Sequence, residues 1–169
     1  MKLAFYNDFN LGVIKSDRII DASDAVADCT TNSPQVILEM VIENWGVYSE
    51  RILTSTDEQD GVELDSVTLC SAVPRPGQLV CLAGNYIEPD HPDKGTFNAF
   101  LKSNTSLMGH RSEVELPSAE ASVFHFEPEL AVVMGKRATK LSPDEALDYV
   151  FGYTQFIDVS ARGLPGGFF

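Results

Sequence analysis

The chain has 169 residues, enough for one domain with a small appendage, and its hydrophobic content of 44% excludes a disordered protein. A formal net charge of −13 argues against a nucleic-acid partner, because phosphate recognition needs clustered Lys and Arg. The N-terminus lacks a signal-peptide pattern, no stretch reaches transmembrane length and the three cysteines are widely spaced, so we expect a cytoplasmic protein without a membrane partner.

Three short segments of strand-forming residues open the chain, and turn-forming residues separate them. These segments span residues 2–6, 11–15 and 18–21. They predict a small β-meander. A helix is predicted next, because Ser33 suits the N-cap position and Pro34 the first helical position. Its apolar residues recur at helical spacing to Tyr48, across Gly46, and the polar stretch 54–61 then predicts a loop.

The segment 72–77 is rich in Pro and Gly, which predicts a domain boundary. We expect residues 1–72 to form a small N-terminal domain and residues 73–169 to belong to a second domain. The continuous apolar run at 79–83 predicts a buried strand. No regular pattern is visible from residue 85 to 116, which predicts a long functional loop.

Alternating polarity returns at residues 123–134 and predicts a strand. Residues 142–145 have the form of a capping box with Pro at the first helical position. They predict a helix that ends at Gly152. Residues 153–160 predict the next strand.

Three carboxylates on these last two strands give the strongest chemical signal. Glu127 and Glu129 share a face, because strand side chains repeat every two residues. Asp158 lies among hydrophobic residues, where a lone charge would be costly. One Mg²⁺ or Mn²⁺ ion would serve all three carboxylates and could act as a Lewis acid. A solvated strand face is the competing interpretation of the Glu pair.

Other titratable residues are candidates for proton transfer and substrate binding. Among the histidines, His91 is the best candidate for proton transfer, because a nearby carboxylate such as Glu88 can orient an imidazole and raise its basicity. Lys102 and Arg162 could bind the carboxylate of a substrate. The competing interpretations are an exposed lysine and a structural ion pair between Arg162 and Asp158.

Six segments, in order from about residue 72 to residue 162, form the most specific pattern. They are Leu79–Tyr86, Phe100–Lys102, Glu115–Pro117, Phe126–Arg137, Glu145–Thr154 and Asp158–Arg162. Together they resemble the fumarylacetoacetate hydrolase superfamily. The resemblance implies an α+β, β-rich fold: a mixed β-sheet roll, incomplete here, with a small N-terminal α/β appendage. It also implies that Glu127, Glu129 and Asp158 bind Mg²⁺ or Mn²⁺, with Ca²⁺ as an alternative.

The resemblance implies a divalent-metal-dependent enzyme that acts on a small α-keto acid. The expected reaction is C–C bond hydrolysis or decarboxylation of an acylpyruvate-like or oxaloacetate-like substrate, as in aromatic catabolism. The alternatives are an isomerase or hydratase of the same superfamily, or a truncated chain that binds only a cation or a partner. A homodimer is also implied.

The chain departs from the family pattern in three places. After Tyr86 the usual Ala-Asp-His is replaced by Ile-Glu-Pro-Asp-His, which displaces His91. Gly163 stands where Asp is common. The second half of the family's catalytic domain is absent, and the chain closes on a Gly-rich loop with Phe168 and Phe169. We therefore expect the N-terminal part of a family member, whose fold a second chain or segment completes.

Overall fold

The computed structural model describes residues 1–87, 89, 93, 96–118, 120–121 and 123–165. These residues form two compact units, the first of Met1–Val41 with Gly46–Ser112 and the second of Ile42–Trp45 with the described residues from Glu113 onward. Strands dominate and helices are few, which confirms the predicted β-rich α+β class. The domain boundary predicted at residues 72/73 stays a prediction.

The first unit contains a four-stranded antiparallel sheet, which confirms the predicted β-meander and adds one short strand to it. Its strands follow one another in chain order: β1 Leu3–Tyr6, β2 Asn10–Lys15, β3 Arg18–Asp21 and β4 Val62–Glu63. Arg18 fixes β4 to β3, because its guanidinium donates to the carbonyls of Asp60 and Gly61 and pairs with Glu63. These contacts therefore hold together the two ends of the long connection between β3 and β4.

Two helices lie between β3 and β4: α1 Pro34–Glu43 and α2 Trp45–Thr56. The prediction of a single helix is thus wrong, because the helix is interrupted at Asn44. The prediction of a loop from residue 54 is also wrong for residues 54–56, which belong to α2. The hydroxyls of Thr54 and Thr56 donate to the carbonyls of Glu50 and Ile52, so both polar groups have hydrogen-bond partners within the helix. No helix in the described part of the chain is long and apolar enough to cross a membrane.

The core of the first unit lies between the sheet and the helices. Its largest fully buried side chains come from both layers: Phe5, Ile19, Val41, Ile52 and Thr56. A hydrogen bond of 2.9 Å from Lys15 Nζ to the Thr56 carbonyl joins the end of β2 to the end of α2. Burial of the four apolar side chains among them is the main source of stability for this unit.

A buried tyrosine in this core makes the first unit less stable at alkaline pH. The Tyr6 hydroxyl donates to Asp21 Oδ2 at 2.5 Å. Burial and the Asp21 carboxylate raise the pKa of Tyr6 from 10.0 to about 12. The fold thus favours the neutral phenol, so its contribution is complete below pH 10 and is lost as the pH rises through 12.

We expect Tyr6→Phe to remove this pH dependence. Between pH 10 and pH 12 the free energy of unfolding, measured with urea, should fall by on the order of 2 kcal/mol more in the wild type than in Tyr6→Phe. The variant is the matched control, because it keeps the ring and removes the titrating hydroxyl. Parallel losses in the two proteins would contradict this account of Tyr6.

The first unit also contains a β-hairpin of β5 Leu79–Leu82 and β6 Ala99–Lys102. Strand β5 confirms the predicted strand, but the prediction of burial is wrong: Val80 is 54% exposed and Leu82 is 42% exposed. Strand β6 lies inside the predicted long loop. Its four residues are too few to show a period of their own, and only pairing with β5 reveals them.

The second unit contains a long antiparallel ribbon of β7 Val123–Met134 and β8 Val150–Arg162. Strand β7 has the predicted bounds. Half of the predicted capping box forms: the backbone N–H and the hydroxyl of Ser142 both donate to Glu145 Oε2, which lowers the pKa of Glu145. The Glu145 N–H donates to the Ser142 carbonyl, not to its hydroxyl, so the reciprocal half is missing.

The helix predicted after this capping box is wrong. Only a short 3₁₀ helix, Ala146–Tyr149, follows the box, and β8 begins at Val150. Val150 pairs with Met134, and Gly152 pairs with Val133. The β-branched and aromatic residues here gain more from the ladder with β7 than from another helical turn.

Candidate metal centre

The β7–β8 register places the predicted metal ligands on one face of the ribbon. Glu127 is the direct partner of Asp158. Directly opposite residues of an antiparallel pair project to the same side, with Cβ atoms about 4.5–5.5 Å apart. Glu129 lies two residues along β7 and therefore shares this face. We call the face that carries Glu127, Glu129 and Asp158 the carboxylate face.

The carboxylate face is the more protected side of the ribbon. Asp158 is only 2% exposed, whereas Glu127 and Glu129 are half-buried. On the opposite face, Leu130 is 58% exposed and Ile157 is 62% exposed. Charges on the carboxylate face are therefore less screened by water than ordinary surface charges.

A cation from the chain itself already contacts this face. Arg162 Nη2 donates to Glu127 Oε1 at 2.7 Å, and the two side chains are 35% and 34% exposed. His125 Nδ1 lies 3.5 Å from the same oxygen. Ser160, the direct partner of His125, directs its hydroxyl to Asp158 Oδ1 at 3.5 Å. The face is thus a polar cluster with a single arginine at its end.

The three carboxylates suit a hard divalent cation in their chemistry, and they project from the same face of the ribbon. Three carboxylates are the ligands that Mg²⁺ and Mn²⁺ prefer. Glu127 and Asp158 also repel each other as directly opposite like charges, so a cation between them would stabilise the ribbon. However, within the described ranges no three His, Cys, Asp or Glu side chains lie close enough to hold an ion. The side chain of Glu127 would have to turn from Arg162, and the metal triad stays a prediction.

The other predicted site residues are placed less fully. Lys102 ends β6 in the first unit, where its Nζ lies 6.0 Å from the centre of the Phe100 ring. Glu88 and His91 lie outside the described residues. The roles predicted for these three residues therefore stay predictions.

Sequence reasoning missed one polar group beside Asp158. Ser160 lies on the carboxylate face and contacts Asp158. The period of two in a strand would have placed both side chains on one face, since they are two residues apart. A serine hydroxyl alone carries no signal strong enough to single it out.

Comparison with known proteins identifies related sequences along the chain. Residues 78–166 match the family described as fumarylacetoacetate (FAA) hydrolase, C-terminal. The chain is 29% identical to maleylpyruvate hydrolase of Aquipseudomonas alcaligenes over 180 residues, which cover 96% of this chain and 62% of that protein. It is 34% identical to oxaloacetate tautomerase YisK of Bacillus subtilis over 113 residues, or 60% of this chain and 36% of that protein.

Solved structures show the same relationship. The crystal structure of maleylpyruvate hydrolase from Sphingobium sp. SYK-6, in complex with manganese(II) ion and pyruvate, matches with a TM-score of 0.83 at 27% identity. The match covers 96% of this chain and 60% of that chain. It confirms the predicted fold class. The chain thus spans 36% to 62% of the length of these three proteins.

Proposed function

The chain belongs to the fumarylacetoacetate hydrolase family, and from this premise we propose that the protein is a divalent-metal-dependent enzyme acting on a small α-keto acid. The observation that carries the proposal is the carboxylate face, where the register brings Glu127 opposite Asp158. Support also comes from a solved relative, which was crystallised with manganese(II) and pyruvate, itself an α-keto acid.

In this proposal Glu127, Glu129 and Asp158 would hold Mg²⁺ or Mn²⁺, with Ca²⁺ as an alternative. The bound ion would supply Lewis-acid stabilisation of the negative charge that develops on the keto oxygen. Arg162 would bind the carboxylate of the substrate, because its planar guanidinium can donate two parallel hydrogen bonds. The low exposure of Asp158 would keep water away and so strengthen these electrostatic interactions.

We favour hydrolytic cleavage of a C–C bond in an acylpyruvate. Both maleylpyruvate hydrolase matches cover 96% of this chain, and therefore nearly all of its first unit. Hydrolysis also needs a base that activates water, and we propose His91 oriented by Glu88 for this role, with Lys102 as a second contact to the substrate. A homodimer and a segment that completes the fold are part of the same proposal.

Tautomerisation of oxaloacetate is the second candidate. It is supported by the 34% identity with the oxaloacetate tautomerase of Bacillus subtilis. Both reactions develop charge on a keto oxygen next to a carboxylate, so the same carboxylate face would suit either. They differ in the need for a water-activating base.

A substrate panel tests the proposal. We expect the protein with Mn²⁺ or Mg²⁺ to release pyruvate from maleylpyruvate, and EDTA to abolish this turnover. His91→Ala should lose about 10²-fold or more in acylpyruvate hydrolysis if His91 is the base. Conversion of oxaloacetate between its keto and enol forms, without pyruvate release from acylpyruvates, would favour the tautomerase. Turnover that is unchanged in EDTA would contradict the metal-dependent proposal.

A further inference from the structure

The ion pair between Arg162 and Glu127 joins a predicted substrate-binding residue to a predicted metal ligand. Arg162 lies four residues beyond Asp158 on β8, so both side chains start from the carboxylate face. The long arginine side chain reaches diagonally across the ribbon, and its Nη2 lies 2.7 Å from Glu127 Oε1. This contact places a positive charge where one carboxylate oxygen would otherwise be available to an ion.

We infer that Arg162 is an internal counter-ion that competes with the divalent cation for Glu127. The inference rests on the proposed function. When the cation binds, Glu127 turns to it and the guanidinium of Arg162 is released toward the carboxylate of the substrate. Arg162 is therefore a positioning residue for the metal site as well as a contact for the substrate.

Electrostatics favour this exchange. Glu127 stands opposite Asp158, and one positive charge is needed to offset their repulsion. Arg162 supplies it in the structure. A doubly charged ion on the same face would take over this task and would repel a guanidinium held within a few ångströms. Because the Glu127 and Arg162 side chains are only about one third exposed, water screens this repulsion incompletely.

The exchange predicts an order of binding. The cation binds first and displaces Arg162, whose guanidinium can then donate hydrogen bonds to an anionic ligand. An acid that arrives before the cation would meet an arginine already paired with Glu127. The ion and the substrate would thus be coupled through the chain as well as through direct coordination.

Manganese affinity tests the competition directly. Calorimetric titration with Mn²⁺ at low ionic strength would compare the wild type with Arg162→Gln. The matched control is Arg137→Gln, which removes the same charge from an exposed position just beyond β7. We expect Arg162→Gln to bind Mn²⁺ at least about fivefold more tightly, and Arg137→Gln to stay within about twofold of wild type. The difference should shrink as salt is added.

A fourth protein separates this inference from the proposed function. Glu127→Gln should weaken Mn²⁺ binding strongly if Glu127 is a ligand. If the wild type fails to bind Mn²⁺, or Glu127→Gln binds it equally well, the proposed metal site is wrong. If Glu127→Gln behaves as expected but Arg162→Gln binds no more tightly than Arg137→Gln, only the competition is overturned. A merely structural role for Arg162 would not tighten binding.

A measurement on the wild type covers the case in which Arg162→Gln does not fold. Phenylglyoxal modifies arginine side chains, and mass spectrometry can follow its reaction at Arg162 and at Arg137 separately. We expect Mn²⁺ to accelerate modification of Arg162, because the cation releases it from Glu127, and to leave Arg137 unchanged. An unchanged or slower reaction at Arg162 would overturn the inference.

Discussion

Asp158→Asn is expected to reduce turnover of a keto-acid substrate by at least about a thousandfold, because a metal ion supplies several kcal/mol of transition-state stabilisation. Asp158 is the most deeply buried of the three predicted ligands, at 2% exposure. Asparagine keeps its shape and removes its charge. The rate of pyruvate release at saturating Mn²⁺ measures the effect. Turnover within a few-fold of wild type would remove Asp158 from the metal site.

The same substitution should have the opposite effect on stability. In EDTA, Asp158→Asn removes the like charge opposite Glu127, whose repulsion Arg162 already offsets in part, so we expect the free energy of unfolding to rise by no more than about 1 kcal/mol. In saturating Mn²⁺ the wild type should gain stability and the variant should not. The control is Asp57→Asn, which removes an exposed charge in the first unit. A fall in stability of Asp158→Asn in EDTA would mean that the carboxylate is a structural group.

Phe5→Ala is expected to lower the free energy of unfolding by about 3–5 kcal/mol. Phe5 is 1% exposed at the centre of the first unit, so alanine would leave a cavity between the sheet and the helices. Urea unfolding measures this loss.

Phe97→Ala is the matched control, because Phe97 is 81% exposed and its removal should change stability by no more than about 0.5 kcal/mol. Equal effects of the two substitutions would contradict the assignment of the core to the meander and its helices.

The parts of the fold that sequence predicts are those with a local period. Strand β7 extends over residues 123–134 as predicted, because twelve residues of alternating polarity leave little ambiguity. The meander also follows from short runs of strand-forming residues separated by turn residues. Conversely, β6 has only four residues, and its partner lies some twenty residues away in β5. Pairing of this kind is non-local, and no single segment reveals it.

Helix ends are harder to predict for two different physical reasons. Helix α2 continues to Thr56, although threonine and serine favour loops by composition, because this turn packs in the core, where Ile52 and Thr56 are fully buried and the Thr56 hydroxyl bonds to the Ile52 carbonyl. After Ser142 the reverse occurs: the contact from Ser142 to the Glu145 side chain forms, but only a 3₁₀ turn follows, because Val150 pairs with Met134 in the β-ladder. Tertiary pairing overrides the local signal.

The candidate site is predictable in its composition and only partly in its geometry. The period of two in a strand is enough to place Glu127 and Glu129 on one face. The pairing of Glu127 with Asp158 depends on the register between two strands, which the sequence of neither strand determines. Proximity in sequence suggests a pair between Arg162 and Asp158, yet Arg162 bonds to Glu127 because its long side chain crosses the ribbon.

The most direct test of the central claim is an electron paramagnetic resonance titration with Mn²⁺ on the wild type and on three variants. Glu127→Gln, Glu129→Gln and Asp158→Asn each remove one predicted ligand. We predict one tightly bound ion per wild-type chain and a loss of affinity of more than about tenfold in each variant. Unchanged affinity and stoichiometry in all three variants would show that no ion is shared by these carboxylates, and the proposed chemistry would have to be abandoned.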